Sequence, residues 1–239
     1  MVLGRLADRV FDAVLFDMDG TLIDSTAAVI RAWNMWALEH GLPADVQNGW
    51  HGVPSASVVR AVLEADRHEA AIARINELEI AELDDIVVLP GALEALAALR
   101  GAKNAIATSC TVPLAQARLT AAQLTPPSVL VTADDVLHGK PSPDPYLEAA
   151  RRLGVDPAGC LVVEDAPAGL KSARAAGCAT LAVSTTTLPE DLIADAVVKD
   201  LSHVQFEVTP LGIRVKPAPA TSGTGASTQA PAREAAAAE

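Results

Sequence analysis

Apolar residues in this chain follow two spacings. Short runs dominated by Val, Ile, Leu and Ala occur at residues 13–16, 105–108, 129–132, 160–164 and 180–184. Near-continuous apolarity over four or five positions marks strands buried on both faces, as in a parallel sheet. Between the later runs, residues 92–100, 113–122, 143–153 and 168–176 read as helices. Gly154 and Gly177 fall where the last two of these helices must stop. This alternation predicts an α/β fold with a doubly wound, Rossmann-like parallel sheet.

Residues 27–88 break the alternation. Val29, Trp33, Trp36 and Ala37 recur at helical spacing, and Ile72, Ile75, Leu78 and Ile80 partly do so in a second helix, with no clear strand between. A helical insertion is therefore expected after the first strand, with Pro90-Gly91 as a hinge back to the core. Val204, Phe206 and Val208 alternate with polar residues, as do Ile213 and Val215 after the turn Thr209-Pro210-Leu211-Gly212, which predicts a terminal hairpin. From Pro217 onward the chain is Pro, Ala, Thr, Ser and Gly, a composition that buries no core and is expected to be disordered. The expected organisation is an α/β core at 1–26 and 89–216, a helical cap at 27–88 and a tail at 217–239.

Composition narrows the partners. The net charge of −12 disfavours nucleic acid and anionic membrane surfaces, because both need clustered Lys and Arg. Aromatics are 3% of the chain, so the core must be built largely from Ala, Val and Leu. Cys110, Cys160 and Cys178 are odd in number and far apart, as expected of reduced thiols in a cytoplasmic protein. Arg5, Asp8, Arg9 and Asp12 interrupt the N-terminal segment, so neither a signal peptide nor a transmembrane helix is expected. A monomer is the default expectation.

Four polar groups end four of the predicted strands. The first is Asp17-Met18-Asp19-Gly20-Thr21. In a strand side chains alternate faces, so both carboxylates are expected to point to one side and to repel unless a cation lies between them. Thr108-Ser109 follows the second strand, where a hydroxyl and backbone N–H groups suit a phosphate. Lys140, in Gly139-Lys140-Pro141, has a restricted backbone and a charge that neutralises a carboxylate or a phosphate. Glu164-Asp165 ends the apolar run 160–163 and suits a hard cation. All four lie at the carboxyl ends of strands, the edge where open α/β sheets bind ligands.

This ordered set resembles the motifs of haloacid dehalogenase-superfamily phosphatases with a helical cap, over roughly residues 10 to 215. Arg31-Ala32-Trp33, His51-Gly52, Leu89-Pro90-Gly91-Ala92, Pro145-Tyr146-Leu147 and Val163-Glu164-Asp165-Ala166-Pro167-Ala168-Gly169 are similar to the sugar phosphatase, hexitol phosphatase and glycerol-phosphatase branch. The resemblance implies a Mg²⁺-dependent hydrolase of a small phosphorylated metabolite, a sugar or polyol phosphate. It implies Asp17 as nucleophile and Asp19 as acid/base. It implies Mg²⁺ held by Asp17, the Asp19 carbonyl and Asp165, with Glu164 as a further ligand through water. Thr108, Ser109 and Lys140 would hold the phosphoryl oxygens, and His51 is the cap candidate for substrate contact. Trp33 and Trp36 are read as packing residues, and Arg60 and Arg67 as a solvated face. A related phosphoglucomutase is the alternative. Those enzymes carry a histidine ten positions after the second aspartate, where this chain has Val29.

Overall fold

The structure is a computed structural model and describes residues 3–46 and 49–219. The tail expectation lies outside the described residues from 220 onward.

Strand β1 (Ala13–Phe16) is buried at every position, as its unbroken apolar run requires. The short β2 (Ile23–Asp24) leads into three helices, α1 (Thr26–His40), α2 (Ser55–Val62) and α3 (His68–Ala81). The chain returns through β3 (Val87–Val88), α4 (Ala92–Ala98), β4 (Asn104–Ala107), α5 (Val112–Ala121) and β5 (Val129–Val131). Then follow α6 (Asp144–Leu153), β6 (Cys160–Glu164), α7 (Pro167–Ala175), β7 (Ala179–Val183) and β8 (Ala196–Val198). The hairpin β9 (Val204–Thr209) and β10 (Gly212–Pro217) is antiparallel, with Phe206 opposite Val215.

Six strands form one parallel sheet in the order β5-β4-β1-β6-β7-β8. The order reverses beside β1, which pairs with β4 on one side and β6 on the other, so a crevice opens at its carboxyl end. Side chains alternate across the sheet. Ala13 and Leu15 pack with Tyr146, Ala149 and Ala173 on the face covered by α6 and α7. Val14 and Phe16 face the opposite layer, with Ala95, Leu114, Leu119, Phe206 and Val215. Gly154 caps α6 in the left-handed conformation, where a residue without a Cβ is unstrained.

Two expectations need correction. The sheet has a sixth strand beyond the five apolar runs, β8, whose Ala196-Val197-Val198 lies between the charged Asp195 and Lys199. The segment read as purely helical also contains half of a two-stranded ribbon, with Ile23 opposite Val88 and Asp24 opposite Val87. Two-residue strands carry no alternation to detect.

The inserted helices have their own apolar cluster, built on Ala32, Trp33, Trp36, Val58, Val59, Ala71, Ile75 and Leu78. Trp33 and Trp36 meet edge to face at 5.2 Å, and Trp36 Nε1 donates to the Ala71 carbonyl at 2.9 Å. Both tryptophans are therefore packing residues. Arg60 is exposed, and Arg67 donates to His40 Nδ1 at 2.7 Å.

Candidate active site

The site begins where β1 stops. Asp17 is still tied to the sheet, its N–H donating to the Val163 carbonyl at 2.9 Å. Beyond it the chain turns sharply, with the N–H groups of Leu22 and Ile23 both donating to the Met18 carbonyl. Gly20 sits at φ +84°, and a Cβ there would lie 2.3 Å from Asp165 Oδ2, so this turn requires glycine. The expected strand alternation across Asp17 and Asp19 therefore does not occur, because the strand ends at Phe16.

Asp17 meets Lys140, Glu164 and Asp165. Lys140 is buried to 0% side-chain exposure, with Nζ donating to Asp17 Oδ1 and, at 2.7 Å, to Glu164 Oε1. Its Nζ also lies 5.1 Å from the centre of the Tyr146 ring. Glu164 Oε1 accepts from Tyr146 Oη at 3.0 Å as well, and Oε2 accepts the N–H groups of Asp165 and Ala166 at 2.9 Å each. Both carboxylate oxygens are thus engaged by protein donors, and Glu164 seats the lysine. Gly169 makes room for it, since a Cβ on α7 would fall 1.5 Å from Glu164 Oε1. Asp165 accepts from Thr21 Oγ1 at 3.1 Å and from Thr186 Oγ1.

The electrostatics leave a deficit of positive charge. Three buried acids face one lysine. Burial disfavours the lysine charge, but Asp17 and Glu164 outweigh it and hold the Lys140 pKa well above the ordinary value. Burial pushes Asp17 up, opposed by Lys140 and reinforced by Glu164 and Asp165. Burial, then Glu164, pushes Asp165 up to about 7. Carboxylate oxygens of Asp17, Glu164 and Asp165 lie within 4.8 Å of one another. An all-oxygen set with excess negative charge fits a hard divalent cation.

Thr108 is buried beside this cluster at the end of β4. Its N–H donates to the Val131 carbonyl at 2.9 Å and its Oγ1 accepts the Cys110 N–H at 3.1 Å. Ser109 Oγ donates to the Gly52 carbonyl at 2.8 Å, which ties the core to the loop before α2. His51 lies on that loop and lines one cavity together with Asp19, Ser109, Asp165, Trp33 and Val29. The structure thus brings Asp17, Lys140, Glu164 and Asp165 into one cluster, and joins Asp19, Ser109 and His51 to Asp165 around the cavity.

The Asp19 carboxylate faces other partners. Its Oδ1 accepts from Ser25 Oγ at 2.7 Å and Arg118 Nη1 at 2.9 Å, and its Oδ2 accepts from Cys110 Sγ at 3.1 Å. The sequence reading missed Arg118 and its second partner, Glu79. The available signal was position, because Arg118 interrupts the buried stripe Leu114, Ala115, Leu119 on α5. Glu79 likewise sits in the buried stripe of Ala71, Ile75 and Leu78 on α3.

The chain matches the family model of haloacid dehalogenase-like hydrolases over residues 11–177. It is 43% identical over 206 residues to hexitol phosphatase A of Escherichia coli K12, covering 83% of this chain and 95% of that protein. It is 34% identical over 197 residues to glycerol-1-phosphate phosphohydrolase 2 of Saccharomyces cerevisiae, covering 73% and 75%. Among solved structures it resembles a hydrolase from Pseudomonas syringae, with a TM-score of 0.74, 28% identity and coverage of 80% and 94%. A strand-end cluster of three acids and a buried lysine, matched by family and fold together, leads to one assignment: the chain belongs to the haloacid dehalogenase-like hydrolases.

Proposed function

We propose that this chain is a phosphatase that hydrolyses a small sugar or polyol phosphate through an aspartyl-phosphate on Asp17. The observation that carries this reading is the buried Lys140, which bridges Asp17 and Glu164 beside Asp165. Phosphoryl transfer needs alignment and charge stabilisation above all, and this cluster supplies both.

In the proposed mechanism Asp17 attacks phosphorus while Lys140 neutralises the transferring oxygens. The Thr108 side chain and the Ser109 N–H orient the remaining oxygens. Asp19 gives a proton to the leaving alcohol, then takes one from the attacking water. Asp17, Asp165 and the Asp19 carbonyl would hold Mg²⁺, which when bound supplies further charge stabilisation at the phosphoryl group. Glu164 acts through Lys140, its oxygens being occupied by four donors.

The relatives named as a hexitol phosphatase and a glycerol-1-phosphate phosphohydrolase support a small polyhydroxylated phosphomonoester as the substrate of this chain. The cavity walls include Trp33, Val29 and Val58, with His51 as a polar group for hydroxyls. Val29 stands where the mutase reading needs a histidine, and it lines this cavity, so hydrolysis is the better supported reaction. Among the described residues no helix is long and apolar enough to cross a membrane, and the three cysteines are buried and unpaired. The unpaired cysteines support an enzyme of a reducing compartment such as the cytoplasm.

Phosphate release from hexitol, hexose and glycerol phosphates, with Mg²⁺ and after chelation, tests the reading. Metal-dependent release from at least one of them is expected. Isomerised sugar phosphate without net release would replace hydrolysis with mutation, and no turnover of any ester would remove the assignment.

A further inference from the structure

A buried ionic chain lies beside the phosphate site, and Arg118 at its centre has none of the roles above. Arg118 is 3% exposed. Its Nη1 donates to Asp19 Oδ1 at 2.9 Å and to Cys110 Sγ at 3.3 Å, and its Nη2 donates to Glu79 Oε1 at 3.2 Å. Glu79 is itself buried on α3, and its Oε2 accepts from Ser55 Oγ at the start of α2, at 2.8 Å. The chain therefore runs from the β1 loop, through a core helix, into the inserted helices. Among the described residues Arg118 Nε is buried without a partner, and the side chain is held there by its two terminal nitrogens.

A buried ion pair gives little net stability compared with apolar side chains of the same volume. What it does give is geometry. The planar guanidinium presents separate donor edges in a fixed plane, so the position of one carboxylate constrains the other. A lysine, with a single nitrogen, could not present two such edges. Removing Glu79 from α3, or moving α3 away, would leave Arg118 with an unpaired donor edge in an apolar setting.

We infer that Arg118 is a positioning residue that fixes the Asp19 carboxylate while Glu79 is seated against it, so that docking of the inserted helices and placement of the acid/base are one event. The inference rests on the reading of Asp19 as the acid/base. In the first step the Asp17–phosphorus bond forms and the bond from phosphorus to the alcohol oxygen breaks. That oxygen keeps the electron pair and takes a proton from Asp19. In the second step water oxygen bonds to phosphorus, its proton passes to Asp19, and the Asp17–phosphorus bond breaks with its pair returning to the carboxylate. Only a poor leaving group needs the proton in the first step. A nitrophenolate leaves without it.

The leaving group therefore reads out the position of Asp19. Single-turnover release would be measured with Mg²⁺ for glycerol phosphate and for p-nitrophenyl phosphate. Arg118→Met should cut alcohol release by roughly 10²-fold and nitrophenol release by under about tenfold, the difference being the general-acid contribution. Glu79→Gln should split the two substrates in the same direction, by less. Because Arg118→Met strands a buried carboxylate, Glu79→Met/Arg118→Met is measured beside it. This pair removes both charges and should fold, as checked by its thermal melt, while showing the same split. Equal loss on both substrates, or no loss on either, in the folded double variant would overturn the inference. Asp17→Asn and Asp19→Asn separate it from the reading beneath. Turnover in Asp17→Asn, or no split in Asp19→Asn, would instead remove the proposed mechanism.

Discussion

In the proposed function, Lys140 is the cation of the protein's own at the phosphate site. Its charge is fully buried between Asp17 and Glu164, so neutralising it leaves two carboxylates facing each other without a cation of the protein's own. Lys140→Met is expected to lower turnover by about 10²–10³-fold, the usual cost of losing one charge-stabilising group, measured as Mg²⁺-dependent phosphate release. Asp17→Asn should abolish turnover, by about 10⁴-fold or more, and leave the circular dichroism spectrum unchanged. Asp165 gives a pH prediction. Its pKa is raised to about 7 in the folded protein, against about 4 when unfolded. The folded state then binds its proton more tightly, so this group's contribution to stability is complete below about pH 4 and is lost as pH rises through about 7. A cation must displace that proton. Added Mg²⁺ should therefore raise the melting temperature more at pH 8 than at pH 5, and an equal rise at both would contradict the assignment. Asp17 and Glu164-Asp165 were legible in the sequence because each directly follows an apolar run, and Lys140 because a proline restricts it in the loop after the run 129–132. The setting of Asp19 was not, since Arg118 reaches it from 99 positions away.

Helix α7 and strand β6 are joined through one close approach. Gly169 has no Cβ where one would meet Glu164 Oε1 at 1.5 Å. Gly169→Ala must displace a carboxylate that already accepts four hydrogen bonds, so it should destabilise the fold by several kcal/mol, on the order of 3 or more, as overpacking against a buried network does. Its activity should fall together with its melting temperature, because Lys140 loses its seat. A variant with wild-type stability would show that Glu164 is not held as described. At this scale the sequence was readable where elements were long. The runs behind β1 and β6 and the helical spacing behind α5, α6 and α7 placed those elements to within a residue or two. It was unreadable for β2, β3 and β8, whose two or three residues owe their extended form to a neighbouring strand and not to any pattern of their own.

Across the molecule, an apolar cluster in the insertion stands apart from the two that sandwich the sheet. Trp36 is central to it, wholly buried and bonded to the Ala71 carbonyl. Trp36→Ala should cost about 3–5 kcal/mol in chemical denaturation, the range for a large aromatic lost from a core. If the insertion unfolds by itself, the melt should separate into two transitions. Docking of this unit on the sheet could not be foreseen from composition, because its polar ties join residues far apart in the chain: Ser109 with Gly52, and Arg118 with Glu79.

The ribbon of β2 and β3 brings the two ends of the insertion into direct register, Asp24 beside Val87. Whatever is spliced between those neighbours starts and finishes at one point on the sheet's rim. A set of helices joined at one point is a tool head on a handle, attached by a narrow ribbon and seated by separate polar ties. In the proposed function the two halves of a substrate, its phosphate and its alcohol, are met by two parts of the chain that one ion chain holds together. Arg118 and Glu79 are the terms on which a new head must fit.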